Sequence, residues 1–323
     1  MSRRIQLLLL LGGAAVFGVY AVFFTQRSTL NTLATLAMYV ALVGAWSVLG
    51  GYGGYLNLGM AAFFGVGAYT SALLSLSLGF APWISLPAGA LIAALIGAVI
   101  GLPTLRLRGP YFAIVTLLLT FVVQLTAMNT GFLRGAMGIS VARPEMSQQG
   151  NLRLVFLVYF GLAVVVMVGM LLFHRSAFAH RLRAIREDED GAEILGVNTV
   201  RAKMVAFLVG AAVAGAAGSV YAWRLGFVEP VDAFNLIVSI NVVLMAVVGG
   251  SAVWYGALLG VPAILLIEDF LRTTAVSMEL FGPTVPHEFN RAVLGALLIV
   301  MALFFRTGIA GMIDARKRRR AML

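Results

Sequence analysis

Apolar residues in this chain form long continuous runs, and polar residues separate these runs at short intervals. Runs such as AGALIAALIGAVIG (88–101) and LVYFGLAVVVMVGMLLF (157–173) show no alternation of polar and apolar positions. A helix needs about 20 apolar residues to cross the hydrocarbon layer of a membrane, whereas the strands of a membrane barrel would alternate. The pattern therefore predicts an all-α, polytopic membrane protein.

About ten such runs follow one another, and they predict a single transmembrane domain over residues 1–323. The first run is longer than the apolar core of a signal peptide, so we interpret it as a retained span. Only the Gly-rich VVGGSAVWYG (247–256) separates the eighth run from the ninth. The predicted spans are 5–24, 32–50, 57–78, 84–102, 110–129, 153–173, 204–223, 236–253, 255–271 and 291–309.

Composition agrees with a membrane protein and excludes several other classes. The mean hydropathy is +0.98, and only 11% of the residues are charged. The net charge of +10 comes from basic residues at span ends and in loops, as membrane topology requires, so we predict no nucleic-acid partner. The chain has no cysteine, which excludes thiol catalysis and cysteine-ligated metals.

The distribution of Lys and Arg predicts the orientation of the chain. With a cytoplasmic N-terminus, sixteen of the 23 basic residues fall in cytoplasmic segments. This bias predicts that both termini are cytoplasmic, as are the loop 174–203 and the basic tail 310–323. The run ARKRRR (315–320) in the tail is interpreted as an anchor near anionic lipid.

The loop 174–203 contains RAIREDEDGAEILGVN (183–198), which holds five of the 13 acidic residues of the chain. From Ser176 onward its spacing predicts one amphipathic helix that ends at Gly196 and Asn198. The predicted apolar stripe consists of Leu182, Ile185, Ala192 and Leu195. Such a helix suits docking on a soluble partner, and a solvated interfacial helix is the alternative.

No chemistry for catalysis or for energy coupling is evident within the predicted spans. Acidic residues fall in loops or at span ends, which argues against a carrier driven by protons or sodium. Lys203 and Lys317 do not follow glycine as in GxxxxGK[ST], so no nucleotide site is predicted. The three histidines lack metal-ligand spacing, and neither catalytic nor metal-binding residues are predicted. Driven transport would therefore need an ATPase on another subunit, whereas a passive channel for a small neutral solute would need none.

Several stretches of the sequence resemble one family. RLRAIREDEDGAEILGVNTVRAKMVAF (181–207) resembles the cytoplasmic coupling loop of LivM-type permeases of branched-chain amino acid ABC importers. Its pattern of EAA, three residues and Gly is degenerate here. GYGGYLNLGMAAFFGVGAYTSALL (51–74), LRLRGPYFAIVTLLL (105–119) and FVEPVDAFNLIVSINVVLMAVVGGSAVWYGALLG (227–260) resemble three further segments of that family, in the same order.

The resemblance implies an ABC importer permease fold in the bacterial inner membrane. It implies a second, homologous permease that completes the translocation path, two cytoplasmic ATPases that bind ATP-Mg, and a periplasmic or lipid-anchored substrate-binding protein. No cofactor is expected on this chain. The residues expected to couple to the ATPases are Arg183, Arg186, Glu187, Asp190, Ala192, Glu193 and Gly196.

The same resemblance gives candidates for the substrate path. These are polar, small or adaptable residues in the matching segments, namely Asn57, Gly59, Met60, Tyr69, Thr116 and Gln124. The family usually has Ser and His where this chain has Asn57 and Met60, a departure that bears on the substrate. Branched-chain amino acids are the expected substrate, and urea or a short-chain amide is the alternative, because permeases for these compounds closely resemble the family.

Overall fold

Long helices make up most of the computed structural model, which describes residues 3–24, 26–78, 82–141, 147–277 and 308–311. The helices are α1 (Arg3–Phe24), α2 (Arg27–Ser47, continued by a π-helical turn at Val48–Tyr52), α3 (Met60–Leu78), α4 (Pro82–Thr104), α5 (Pro110–Asn129), α6 (Gln148–Phe173), α7 (Ala177–Glu187), α8 (Glu189–Ile194), α9 (Thr199–Leu225), α10 (Pro230–Ala233), α11 (Leu236–Gly249) and α12 (Gly256–Ser277).

Nine of the predicted spans coincide with described helices, whereas the tenth, 291–309, lies outside the described residues except at its last two positions. Within the described part, six helices are long and apolar enough to cross a membrane: Arg27–Tyr52, Ile84–Thr104, Pro110–Asn129, Gln148–Phe173, Thr199–Leu225 and Pro230–Gly249. The helical membrane class is therefore confirmed, and the count of ten spans stays a prediction.

Two short strands modify the all-α expectation. Ile139–Ser140 (β1) and Phe227–Val228 (β2) pair in antiparallel fashion, with Ile139 opposite Val228. Gly226 ends α9 with a φ of 72°, and the chain then continues in an extended conformation. Because extended backbone leaves its amide groups unpaired, this connection pairs with the segment that follows α5.

Helix α9 lies at the centre of the helix packing, with its most extensive contacts to α3 and α4. Small residues permit this close approach. A Cβ atom added at Gly67 of α3 would overlap the backbone of Gly215 on α9, and one added at Gly218 would overlap the carbonyl oxygen of Phe64. Gly67, Gly215 and Gly218 therefore allow the backbones of neighbouring helices to approach closely, as expected where lipid gives no hydrophobic drive for helix association.

Between the π-helical turn and α3, residues 54–59 have no regular secondary structure, and we call them the unwound segment. Other helices satisfy its backbone. Trp46 Nε1 donates to the carbonyl oxygen of Asn57 at 2.8 Å, and Thr116 Oγ1 on α5 accepts from the amide of Leu58 at 3.1 Å. Irregular backbone next to membrane spans is stable only where protein groups replace water in this way.

Helix α11 supports the start of α3 directly after the unwound segment. Ser239 Oγ accepts a hydrogen bond from the amide of Ala61 at 2.8 Å, and both residues are buried. The first turn of a helix has amide groups without an intrahelical partner, so Ser239 supplies one of the acceptors that α3 lacks. The predicted span 57–78 therefore begins as a helix only at Met60, which is the first residue of α3.

Helix α5 packs on one side only. Its inner residues, such as Phe112, Thr116 and Thr120, are buried, and α3 is its main helical neighbour. Its other side carries an exposed apolar stripe that consists of Ile114, Leu118, Val122 and Leu125. Helix α5 thus has one face in the protein and one face open to lipid or to another chain.

Candidate transport path and coupling segment

Three of the predicted path residues lie together around the unwound segment. Asn57 Oδ1 accepts from the amide of Gly59 at 2.9 Å, and a Cβ atom added at Gly59 would lie 3.3 Å from the carbonyl oxygen of Thr116. Asn57 and Thr116 are buried. In this conformation their polar groups hold the unwound segment in place between α2, α3 and α5.

The other three predicted path residues lie along α3 and α5. Met60 is fully buried at the start of α3. Tyr69 lies between two and three turns further along the same helix and stacks on Phe234, with 5.5 Å between ring centroids and an interplanar angle of 21°. Gln124 is half-buried on α5, about 12 Å beyond Thr116 along the helix axis.

Two buried hydroxyl groups in this region have no hydrogen-bond partner within the described residues. They are Tyr69 Oη on α3 and Thr120 Oγ1 on α5. Sequence reasoning selected Tyr69 and missed Thr120, although Thr120 follows Thr116 by four residues and therefore lies on the same side of α5. A buried hydroxyl without a partner loses its hydrogen bonds to water, so both groups are suited to a polar ligand.

The loop between α6 and α9 contains two short helices, α7 and α8, and we call residues 177–196 the coupling segment. Ser176 caps α7 by accepting from the amide of Ala179 at 3.1 Å, and the helix starts where the sequence predicted. The single predicted helix is wrong, because Asp188 adopts an extended conformation and caps α8 by accepting from the amide of Asp190. An Asp side chain competes with helical hydrogen bonds in this way, so it starts a second helix.

The predicted apolar stripe of the coupling segment is correct at three of four positions. Leu182, Ile185 and Ala192 are buried, with Ala192 at only 2% exposure. Leu195 is 83% exposed and its neighbour Ile194 is 86% exposed, so the stripe does not continue to the end of the segment. Helix α8 ends at Ile194, so the helical phase that the stripe assumed does not extend to Leu195.

Two arginines of α7 contact the π-helical turn. The guanidinium group of Arg183 lies over the ring of Tyr52, 5.0 Å from its centroid, and donates to the carbonyl oxygen of His174 at 3.3 Å. Arg186 Nη1 donates to the carbonyl oxygen of Gly51 at 2.7 Å. Both residues were predicted to couple to an ATPase, and their guanidinium groups have partners within this chain.

A buried ion pair holds the first residue of α8. Lys203 on α9 is 2% exposed and lies 2.5 Å from Glu189 Oε1. The hydroxyl of Tyr55, in the unwound segment, donates to the other carboxylate oxygen of Glu189 and lies 3.3 Å from Lys203 Nζ. Arg108, from the α4–α5 connection, lies 3.7 Å from Glu189 and 2.7 Å from Asp190. Four separate segments of the chain therefore meet at one carboxylate.

The contacts of Glu189 determine its charge state. Burial by itself raises the pKa of its carboxyl group, but the hydrogen bonds from Lys203 and Tyr55 and the charge of Lys203 outweigh burial and lower the pKa below its ordinary value of 4.5. For Tyr55, burial and then the hydrogen bond to Glu189 raise the pKa of the hydroxyl group. Glu189 is therefore an anion and Tyr55 a neutral donor at neutral pH.

The remaining predicted coupling residues lie at both ends of α8. Glu187 is exposed at the end of α7, and Glu193 accepts a hydrogen bond from the hydroxyl of Thr199 at 2.5 Å. Gly196 ends the coupling segment with a φ of 84°, and a Cβ atom there would have no neighbour within 4 Å. Contact of these residues with an ATPase stays a prediction.

Sequence reasoning missed Tyr55, Arg108, Glu189 and Lys203 as a functional cluster. One signal was available, since Lys203 is one of only two lysines and stands near the start of the mostly apolar helix α9. A buried lysine requires a carboxylate partner. Five acidic residues lie between positions 187 and 193. That Lys203 pairs with Glu189 among them depends on the break at Asp188, which the sequence pattern did not indicate. Within the described residues, no group of three His, Asp or Glu side chains could hold a metal ion.

Comparison with known proteins identifies relatives over most of the chain. The model of the family described as branched-chain amino acid transport system / permease component matches residues 9–302. The chain is 33% identical over 320 residues to the high-affinity branched-chain amino acid transport system permease protein LivM of Escherichia coli (strain K12), covering 90% of this chain and 72% of that protein. No solved structure matches.

Two further relatives are similar over different lengths. LivH of the same strain, also a high-affinity branched-chain amino acid transport system permease protein, is 31% identical over 154 residues, or 47% of this chain and 46% of LivH. The nucleoside ABC transporter permease protein NupC of Lactococcus lactis subsp. cremoris (strain MG1363) is 24% identical over 284 residues, or 81% of this chain and 87% of NupC.

We predict that Glu189→Gln destabilises the folded protein by about 3–5 kcal/mol at neutral pH, because it leaves the Lys203 ammonium group buried without a carboxylate. The folded-state pKa of Glu189 is lowered, so its stabilisation is present above 4.5 and is lost as the pH falls through the lowered value. The unfolding temperatures of wild type and variant are measured in detergent from neutral to acid pH. The difference between them should shrink as the pH falls through the lowered pKa of Glu189.

The exposed neighbour Glu187 provides the matched control for this measurement. Glu187→Gln removes one carboxylate from the same segment and should leave the unfolding temperature nearly unchanged. Equal losses of stability in the two variants, or a loss in Glu189→Gln that does not change with pH, would contradict the assignment.

Proposed function

The chain belongs to the branched-chain amino acid transport permease family, and from this membership we propose that it is a permease subunit of an ATP-driven importer of branched-chain amino acids. It is a multi-pass protein of the inner membrane and a transport component rather than an enzyme. The observation that carries the proposal is the similarity to LivM, which extends over 90% of this chain.

The described path residues suit an aliphatic amino acid. A substrate with an apolar side chain favours an apolar corridor in which a few polar groups fix its orientation. The Tyr69 and Thr120 hydroxyls are buried without a partner within the described residues, so they are available to the amino or carboxylate group of a substrate. The names of LivM and LivH support this substrate class over urea or a short-chain amide.

A second, homologous permease completes the path in this proposal. The exposed stripe of Ile114, Leu118, Val122 and Leu125 on α5 lies opposite the face that carries Thr116 and Thr120. Packing of this stripe against a second permease would cover the exposed side of α5 and separate the buried Thr116 and Thr120 from lipid. The similarity of LivH to about half of this chain supports a partner of the same family.

Two cytoplasmic ATPases bind the coupling segment in this proposal. Ile194 and Leu195 are exposed next to Gly196, which leaves open space around the end of α8. The two neighbouring side chains form a contiguous exposed apolar patch with a polar rim, and patches of this kind mark sites of protein–protein contact. The excess of basic residues supports a cytoplasmic location for this surface and for both termini. A periplasmic or lipid-anchored binding protein would deliver substrate to the opposite side.

ATP hydrolysis by the partner subunits drives transport through a change between two conformations of the permease. ATP binds to the partner subunits as ATP-Mg, with no cofactor on this chain, and closure of the ATPases displaces the coupling segment. The displacement favours the conformation in which the path opens to the other side of the membrane. A passive channel would need no such docking surface.

The proposal predicts ATP-dependent uptake of leucine. Proteoliposomes that contain the full complex should accumulate labelled leucine only with internal ATP, and an excess of valine should block the uptake because the two share an aliphatic site. Labelled urea serves as the control solute and should not enter. ATP-dependent entry of urea alone would mean that urea, and not leucine, is the substrate. Equal leucine uptake with and without ATP would contradict the proposal of an ATP-driven importer.

The docking surface predicts loss of ATPase binding in Leu195→Asp and in Gly196→Trp. Leu195→Asp places a charge at the exposed end of α8, and Gly196→Trp adds a bulky side chain and backbone strain at a φ of 84°. Neither change fills a packed site, so the permease should still insert while the ATPases no longer co-purify and uptake is lost. Loss of a docking anchor weakens binding by about 2 kcal/mol or more, roughly 30-fold. Ala177→Asp, at the exposed start of α7, is the control and should bind the ATPases normally. Normal co-purification with both variants would contradict docking at this surface.

A further inference from the structure

Three side chains of the coupling segment contact the π-helical turn and the unwound segment that follows it. Arg183, Arg186 and Glu189 follow one another at intervals of three residues. They contact the ring of Tyr52, the carbonyl oxygen of Gly51 and the hydroxyl of Tyr55, respectively. We call these three contacts the clamp, and they join the surface proposed for ATPase docking to the chain that leads into the path.

The clamp is closely packed as well as hydrogen-bonded. Gly54 has a φ of 76°, and a Cβ atom there would lie only 2.7 Å from Cγ of Arg186. A side chain at this position would therefore be strained in its backbone and would press on Arg186. The ring of Tyr55 packs edge-on against Phe112 with 5.4 Å between centroids, and Lys203 Nζ lies 4.8 Å from the centre of the same ring.

The contact between Glu189 and Tyr55 is the strongest of the three contacts in the clamp. Its side chain is 12% exposed, and Lys203 and Tyr55 bind its two carboxylate oxygens from α9 and from the unwound segment. Charge-assisted hydrogen bonds away from water are stronger and more directional than those at an exposed surface. A displacement of α8 must therefore move the Tyr55 hydroxyl with it or break a buried contact.

Tyr55 is separated from the path residue Asn57 by one residue only. The intervening backbone has no regular secondary structure, and an extended chain cannot lengthen beyond about 3.6 Å per residue. Asn57 and Leu58 are in turn fixed to Trp46 and Thr116 by hydrogen bonds of 2.8 and 3.1 Å. A shift of Tyr55 can thus be taken up by only two residue lengths of chain before it displaces Asn57, which lies against Thr116.

We propose that Glu189 and Tyr55 are positioning residues through which the coupling segment moves the unwound segment, so that ATPase closure acts on the transport path through the clamp. This inference rests on the proposed function. It assigns a mechanical role to the Glu189 carboxylate, whereas a purely structural pair would stabilise the fold and leave the coupling of ATP hydrolysis to uptake unchanged.

The test removes one hydroxyl from the clamp. Tyr55→Phe loses the hydrogen bond to Glu189 and keeps the ring that packs on Phe112. Tyr159→Phe is the matched control, because Tyr159 is fully buried and its hydroxyl donates to the carbonyl oxygen of Ala217 at 3.1 Å, within the α6–α9 contact. Uptake of labelled leucine and hydrolysis of ATP are measured together in proteoliposomes with the full complex.

The clamp predicts that Tyr55→Phe keeps its ATPases and continues to hydrolyse ATP, while leucine uptake per ATP falls about tenfold, as expected for loss of one hydrogen bond to a charged group. Tyr159→Phe should keep the wild-type ratio. An unchanged ratio in Tyr55→Phe, an equal fall in Tyr159→Phe, or loss of the ATPases from Tyr55→Phe would overturn the inference. Absence of ATP-dependent uptake in the wild-type complex would instead contradict the proposed function.

Discussion

The buried pair of Glu189 and Lys203 constrains how α8, α9, the unwound segment and the α4–α5 connection are arranged. A lysine that is 2% exposed is costly unless a carboxylate lies beside it, and the chain meets this requirement by bringing α8 to the start of α9. The extended conformation of Asp188 turns the chain so that Glu189 faces inward. Tyr55 and Arg108 then join the same carboxylate, so two further connections are fixed by it.

The unwound segment is the second feature on which this arrangement depends. Its amide and carbonyl groups are bound by Trp46, Thr116 and the side chain of Asn57, so its conformation depends on helices α2 and α5. Such a segment can change conformation with less loss of hydrogen bonding than a continuous helix. Its position between the clamp and the start of α3 makes it the element best placed to respond to the coupling segment.

The sequence predicted the helical class and most helix positions, because the length of an apolar run directly indicates a helix that can span the membrane. It also predicted that the coupling segment starts near Ser176 and ends at Gly196, because both boundaries depend on local chemistry. The cluster at Glu189 depends on contacts between distant segments, so periodicity could not identify it. Thr120 could have been placed beside Thr116 by its four-residue spacing, but its lack of a partner depends on tertiary contacts. The break at Asp188 is the local feature that pattern reasoning should have considered, since Asp is a frequent N-cap.

The most direct test of the account is whether the coupling segment and the unwound segment move as one body. The chain has no cysteine, so spin labels can be attached at Leu56→Cys, Ile194→Cys and Phe132→Cys, all exposed, with Phe132 just beyond the C-terminal end of α5. In the full complex, addition of ATP should change the distances from 132 to 56 and from 132 to 194, while the distance from 56 to 194 stays constant. A change in the distance from 56 to 194, with position 56 fixed relative to 132, would contradict transmission through the clamp.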